Sequence, residues 1–204
     1  LAAFIEQIKF PKWRIAFYVF GAYLIFVNLF QFKQYNQTIL HYRDMNRKYY
    51  ARIYLNPHPS PLDISLMDTE EFLYDETGYQ QNILVETDSV LHIKTPADSS
   101  YYFLGTSIEY NSQKETWVKI ESAIKISEGF QVAYLCSELQ VGDSVKQDKI
   151  RLFSPIGVMG EWNDYAFYVH VPDYFHQTKL RLYINSPGNF EGEIDTVKIT
   201  HLKK

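Results

Sequence analysis

Four groups of side chains in this sequence have the chemistry to act on something. The first is a run of carboxylates, Asp68, Glu70, Glu71 and Asp75. Paired acids exchange protons with substrates or hold calcium. These stand behind Pro57, Pro59 and Pro61, so a solvated loop is the expected reading. The second is Asp195, an acid inside an otherwise strand-like run. A carboxylate buried there must be paired or hydrogen bonded, so it braces a turn or ligates a cation. The third is a set of rings, Trp117, Trp162, Tyr165 and Tyr183. Flat amphipathic rings suit the faces of sugars, and they also pack sheets. Trp117 falls on the polar side of its run and is the strongest stacking candidate. Trp162 lies in Gly160-Glu161-Trp162-Asn163-Asp164, just before a run, and reads equally as a hydrophobic plug. The fourth is the single thiol, Cys136, in Val132-Ala133-Tyr134-Leu135-Cys136. It reads as a small buried hydrophobe, because nothing around it supplies a base.

Several classes of chemistry are excluded or unsupported. There is no Gly-rich phosphate loop, no Ser elbow, no His-Glu-x-x-His helix and no calcium-loop pattern. His41 and His58 stand alone, without metal-ligand spacing to a second His. One cysteine permits neither an intrachain disulfide nor a Cys-based zinc site. A net charge of -4 argues against a nucleic-acid binder. No catalytic residue and no cofactor is expected in this chain.

The elements that must position these residues begin with a membrane span. Residues 15–32 carry no charge and are bracketed by Arg14 and Lys33. As a helix they span roughly 27 Å, close to the hydrocarbon thickness of a bilayer. Trp13 and Tyr35 flank the run where aromatic belts lie, and Pro11 is placed to open the helix. A cleavable signal would need small residues after its core, and Phe30-Gln31-Phe32-Lys33 offers none. Asn28 and Gln31 are amides near one end, which favours bonding to a neighbouring helix and packing on further membrane helices. Lys9, Lys12 and Arg14 before the span favour a cytoplasmic N-terminal flank (1–14) and a periplasmic β domain at the inner membrane. Arg43, Arg47, Lys48 and Arg52 weigh on the other side.

Beyond the span, Tyr35, Ile39, Tyr42, Met45, Tyr49 and Ile53 form one helical stripe, predicting an amphipathic helical neck over 33–55. A proline-rich linker over 56–81 ends it. From residue 82 the period changes to two, and strands are expected at 83–87, 90–95, 101–110, 117–127, 131–139, 149–153, 165–171, 179–185 and 193–201. In the fourth, Val118, Ile120, Ile124 and Ile126 face one way and Lys119, Glu121 and Lys125 the other. In the eighth, Lys179, Arg181 and Tyr183 face out. The fold class expected is mainly β: a transmembrane helix and helical neck followed by an antiparallel β-sandwich over 82–204, a jelly roll, with an immunoglobulin-type sandwich as the alternative.

Two stretches carry a resemblance. Phe30-Gln31, Gln34-Tyr35-Asn36, Ile39-Leu40-His41, Asp44-Met45 and Lys48-Tyr49-Tyr50 resemble the region after the last transmembrane helix in polytopic membrane proteins of Bacteroidota. Those are similar to dolichyl-phosphate-mannose–protein mannosyltransferases and aminoarabinose transferases. The pattern departs at Asn46-Arg47, where Thr often precedes the Lys. The second stretch is similar to the end of carbohydrate-binding-module-like jelly rolls. It comprises residues 162–172, Leu180-Arg181-Leu182-Tyr183-Ile184-Asn185 and Ile194-Asp195-Thr196-Val197-Lys198-Ile199.

The first resemblance implies a parent that uses a polyprenyl-phosphate sugar donor, with catalytic acids in a loop that these residues do not include. The chain opens on Leu1 rather than Met and is expected to be the C-terminal part of such a protein. Its sandwich would position a glycan or cell-envelope acceptor. The rival expectation is a membrane-tethered interaction or carbohydrate-binding sandwich with no enzymatic activity.

Overall fold

A charge-free apolar run cannot leave its backbone polar groups unpaired in lipid, and a helix pairs them internally. In a computed structural model the run lies within α1 (Pro11–Asn36). The structure describes residues 11–37, 39–40, 45–69, 73, 75–109, 114–128, 133–152, 158–175 and 177–204. Among these, the stretch Lys12–Asn36 is the one helix long and apolar enough to cross a membrane, and its apolar window is not buried against the rest of the protein.

The neck departs from the single helix expected over 33–55. Helix α1 ends at Asn36, and the N–H groups of Ile39 and Leu40 both turn back to the Gln34 carbonyl, at 2.9 and 3.3 Å. A second helix, α2 (Arg47–Ile53), starts afresh, with the Asn46 side chain accepting from the Tyr49 N–H at 2.8 Å. His41, Tyr42, Arg43 and Asp44 lie outside the described residues. The apolar stripe is nevertheless used. Ile39, Tyr49 and Ile53 close on Ile64, Leu66 and Met67 in a small core of their own. Folding the chain back buries more apolar surface than one straight helix offers, and this overrides helical propensity. The Gln34 amide donates to the Ile53 and Asn56 carbonyls at 2.7 and 2.9 Å, which satisfies the end of α2. Gln31 donates to the Tyr50 hydroxyl at 2.7 Å, and the hydroxyls of Tyr23 and Tyr54 meet at 2.8 Å.

The proline-rich stretch hides one short helix, α3 (Pro61–Ser65). Pro61 stands in its first turn, where no N–H is needed, and Ser60 and Asp63 make a reciprocal capping box. Asp68 is a second correction. It was expected in a solvated loop, but its side chain is 4% exposed and meets Arg151. The Arg151 Nε lies 2.8 Å from one carboxylate oxygen, and the Arg151 backbone N–H donates to the other at 3.0 Å. Asp75 is exposed and closes a turn by accepting from the Thr77 N–H. Glu70 and Glu71 lie outside the described residues.

Nine strands follow: β1 (Gln80–Thr87), β2 (Leu91–Thr95), β3 (Ser99–Glu109), β4 (Thr116–Glu128), β5 (Tyr134–Val141), β6 (Ser144–Arg151), β7 (Trp162–Val171), β8 (Gln177–Ser186) and β9 (Phe190–Lys203). They pair antiparallel throughout. One sheet has the order β1-β9-β4-β7, with β2 also on β9, and the other β3-β8-β5-β6. Strands β1 and β2 share a lane, since β1 pairs with residues 197–203 of β9 and β2 with residues 190–194. Apart from β1 and β2 in their shared lane, successive strands cross between sheets except at the β5–β6 hairpin, where Gly142 takes a left-handed φ of 54°. Eight lanes wound in this way make a jelly roll, not an immunoglobulin sandwich.

The alternation read in β4 and β8 puts Val118, Ile120, Ile124, Ile126, Leu180, Leu182 and Ile184 in the core between the sheets, with Phe167 and Ile199. Gly192 is required there. A Cβ on it would sit 2.7 Å from the Lys125 carbonyl oxygen and 2.9 Å from the Phe190 ring. At the β6 edge, Lys146 and Asp148 pair at 2.9 Å, both side chains mostly buried, and the Lys146 ammonium donates to the His170 carbonyl of β7.

The linker lies on the outer face of the five-stranded sheet. Leu62, Leu73 and Tyr79 cover Trp117, Tyr168 and Leu202. Glu76 accepts from the Tyr168 hydroxyl and pairs with Lys119 at 3.1 Å. Glu115 accepts from Tyr79 at 2.8 Å and from the Trp117 indole at 3.0 Å, and these two bonds hold its carboxyl below the usual range.

Two outcomes are expected. Removing one partner of a buried ion pair strands the other. Asp68→Ala should therefore lower unfolding stability in detergent by roughly 3–5 kcal/mol, and pairing Asp68→Leu with Arg151→Met should restore part of it. A loss below about 0.5 kcal/mol, the ordinary surface value, would show that the pair does not hold the neck.

The second concerns His201, which is buried on the inner face opposite Val118 and Asn82. Burial, and then Lys203, push its pKa down from 6.5 to about 4. The folded state keeps it neutral, so its contribution is whole above pH 6.5 and is lost as pH falls towards 4. Melting temperature should fall across that window in the native chain and less steeply in His201→Gln.

Candidate functional site

Alternation along β8 sends Lys179, Arg181, Tyr183 and Asn185 to the outer face of the four-stranded sheet, because Leu180, Leu182 and Ile184 are taken by the core. Register then decides what stands beside each. Tyr183 has Tyr102 of β3 on one side and Cys136 of β5 on the other, with Lys149 of β6 beyond. Arg181 has Gly105 on one side and Glu138 on the other, with Gln147 beyond. Four strands thus lay two successive rows across one face.

The rows differ in chemistry. In the first, the Tyr102 and Tyr183 rings stack with centroids 4.7 Å apart and planes 29° apart. Tyr102 is 52% exposed and Tyr183 is 7% exposed, so Tyr183 is the floor and Tyr102 offers the open surface. In the second, Glu138 is buried by its neighbours. It lies 3.5 Å from the Arg181 guanidinium and accepts from the Gln147 amide at 3.1 Å. Gly105 contributes no side chain, and the space left over it joins Tyr102 and Arg181 in a hollow of about 390 Å³. On the other side of Arg181 a second hollow of about 530 Å³ is lined by Ser107, Gln140 and Lys179 among others. The surface is therefore a shallow trough with one open ring, one guanidinium paired with a carboxylate, the ammonium groups of Lys149 and Lys179, and several amides and hydroxyls.

Cys136 lies under this face beside Tyr183. Burial pushes its thiol up to about 11, with weaker opposing effects from Tyr183 and Lys149. At neutral pH it is a thiol and packs as a hydrophobe. Tyr183 is likewise raised, chiefly by burial and then by Cys136, and stays a neutral hydroxyl.

The structure separates the four rings singled out in the sequence. Trp117 is a correction. It does fall on the outer face of its strand, but the linker covers it to 8% exposure, and the His170 ring packs 4.8 Å from its centroid. Tyr165 is a second correction, because it lies in the inter-sheet core, its hydroxyl donating to the Leu152 carbonyl. Neither offers a face to a sugar. Trp162 is 44% exposed, with the Lys125 ammonium 5.9 Å above its ring, but it sits on the five-stranded sheet. Tyr183 alone belongs to the trough.

Asp195 is half-buried at an irregularity in β9, between the residues that pair with β1 and those that pair with β2. Among the described residues no group of three His, Cys, Asp or Glu side chains is gathered to hold a metal. Tyr102, Glu138, Gln147 and Gly105 escaped the sequence reading. Outward alternation was visible for Arg181 and Tyr183, whereas their neighbours depend on pairing between strands far apart in the chain, Tyr102 with Tyr183 and Glu138 with Arg181.

No family model matches the sequence, and no curated protein matches it. Solved structures similar to the sandwich include that of infectious bursal disease virus Gt strain, at 12% identity and TM-score 0.45, covering 61% of this chain and 33% of that one. A family 16 carbohydrate-binding module is similar at 13% identity and TM-score 0.34, covering 52% and 73%. So is TmCBM61, solved with β-1,4-galactotriose, at 10% identity and TM-score 0.33, covering 61% and 89%. The chain spans about a third of the viral protein it matches.

Proposed function

We propose that the outer face of the four-stranded sheet binds a glycan, and that α1 anchors this face to a lipid bilayer. The half-exposed Tyr102 ring, backed by Tyr183 beside the Arg181–Glu138–Gln147 row, is the observation that carries the reading. Successive outward positions on a strand are about 6.8 Å apart, so a sugar ring stacked on Tyr102 puts its hydroxyls over the next row. A guanidinium, a carboxylate and an amide there can each donate to or accept from hydroxyls.

The same reading makes the chain the C-terminal part of a polytopic glycosyltransferase-like protein, with the sandwich as a non-catalytic part that positions an acceptor. The neck residues that resemble such proteins support this. The β domain then lies on the periplasmic side of the inner membrane, in keeping with Lys12 and Arg14 next to the span. Arg47, Lys48 and Arg52 pull the other way. The coding frame upstream should encode further apolar helices, with an acidic loop after the first. A frame encoding this span alone would remove the parent while leaving the glycan face standing.

A second reading, a sandwich that docks a protein, is favoured by Val158, Met159 and Trp162, exposed together by 54%, 47% and 44% at the start of β7. One experiment separates the two. The full chain in detergent is applied to a glycan array, and hits are titrated calorimetrically. Tyr102→Ala and Arg181→Ala should each weaken binding about tenfold, which is about 1.4 kcal/mol, while Trp162→Ala should stay within about twofold. Glycan binding that survives Tyr102→Ala unchanged, or none at all, would sink the sugar-binding reading.

A further inference from the structure

Helix α2 presents two faces of opposite character. Tyr49 and Ile53 point into the neck core. The rest of the helix and its cap, Arg47, Lys48, Tyr50, Ala51, Arg52 and Tyr54, is exposed. That face carries three cations and two tyrosines and no carboxylate. Arg52 reaches Asp63 of the next helix at 3.7 Å while its side chain stays 48% exposed.

The height of this face is fixed by bonds to α1. The Gln34 amide holds the Ile53 carbonyl, so α2 ends beside Gln34, two residues beyond the apolar run that closes at Phe32. The rings of Tyr50 and Tyr54, 5.7 Å apart, reach back along α1 to Gln31 and Tyr23. Gln31 lies at the end of the apolar run and Tyr23 at its middle, so the Tyr50 ring falls where amphipathic rings are favoured in bilayers, while the Tyr54 hydroxyl reaches deeper and is satisfied there by Tyr23. The exposed cations of α2 therefore stand beside the Lys33 end of the apolar run.

We infer that α2 is an interfacial helix whose Arg47–Lys48–Arg52 face binds anionic lipid headgroups of the leaflet that α1 enters. The inference rests on the reading of α1 as a membrane span and adds a lipid preference to it. Charge complementarity with phosphate, and continuity with a span that fixes the bilayer's edge, both select lipid as the occupant. Three cations held at a headgroup layer each add attraction to negative lipid, and long side chains can rise to the phosphates from a helix lying in the interface.

The test uses the full chain with a fluorophore at Ala51→Cys, Cys136 being buried. It is reconstituted into phosphatidylcholine vesicles containing equal small fractions of spin-labelled phosphatidylglycerol or spin-labelled phosphatidylcholine, the label high on the acyl chain. Phosphatidylglycerol should quench with an apparent preference of about threefold or more at low salt, shrinking as salt rises. Arg47→Gln/Lys48→Gln/Arg52→Gln should abolish the preference while both lipids still quench. Equal quenching by the two lipids in the native chain would overturn the inference, as would a preference untouched by the triple substitution. Flotation of the same vesicles after alkaline carbonate reads the span separately. Protein that floats but is not quenched overturns the interfacial helix alone, and protein that is stripped off overturns the span with it.

Discussion

The neck has one position on the sandwich because Asp68 and Arg151 are buried against each other. An ion pair taken out of water resists separation, because drawing the partners apart loses the attraction that offsets their desolvation, and separating them into solvent would lift the neck off the sheet. The bond joins the neck core of Ile39, Tyr49, Ile53 and Met67 to the last residue of β6. The neutral contacts of Leu62, Leu73 and Tyr79 over Trp117 act in the same direction but could slide. Polar contacts, the half-buried Glu76 with Lys119 and the more exposed Glu115 with Tyr79, set the register of that packing. The trough is built on the sheet that carries Arg151, so its orientation relative to α1 follows from the same pair.

Much of the sandwich could be read from alternation, because a strand with one face in the core leaves a period-two record. Val118, Ile120, Ile124 and Ile126 wrote β4 plainly, and Leu180, Leu182 and Ile184 wrote β8. The neck misled for a related reason. Ile39, Tyr49 and Ile53 recur at helical spacing whether they lie along one straight helix or on two segments folded around a shared core. What distinguishes the cases is the Gln34 amide bonded to carbonyls of Ile53 and Asn56, and no local pattern announces a bond across that separation.

The site was less legible than the fold. Trp117 was placed on the correct face of its strand, yet its role turns on the linker that lies above it, a tertiary fact. Tyr102 was indistinguishable from the chain's other tyrosines until β3 paired with β8 and set it on Tyr183. Arg181 and Tyr183 were correctly assigned outward because only their own strand was needed. A row across a sheet draws one residue from each of several distant segments, so it emerges from topology and leaves little mark on any single stretch of sequence.

The inward-turned Lys146 and Asp148 at the β6 margin bear on how copies of this protein coexist. An open sheet border is an invitation to ladder formation between neighbours, and charges directed into the gap between the layers make such joining costly because the incoming strand would have to strip them of their partners. The Lys146 ammonium, held by Asp148 and the His170 carbonyl, closes the rim between β6 and β7 at the same time. Strand addition at this border is thus opposed by the same side chains that seal the end of the core.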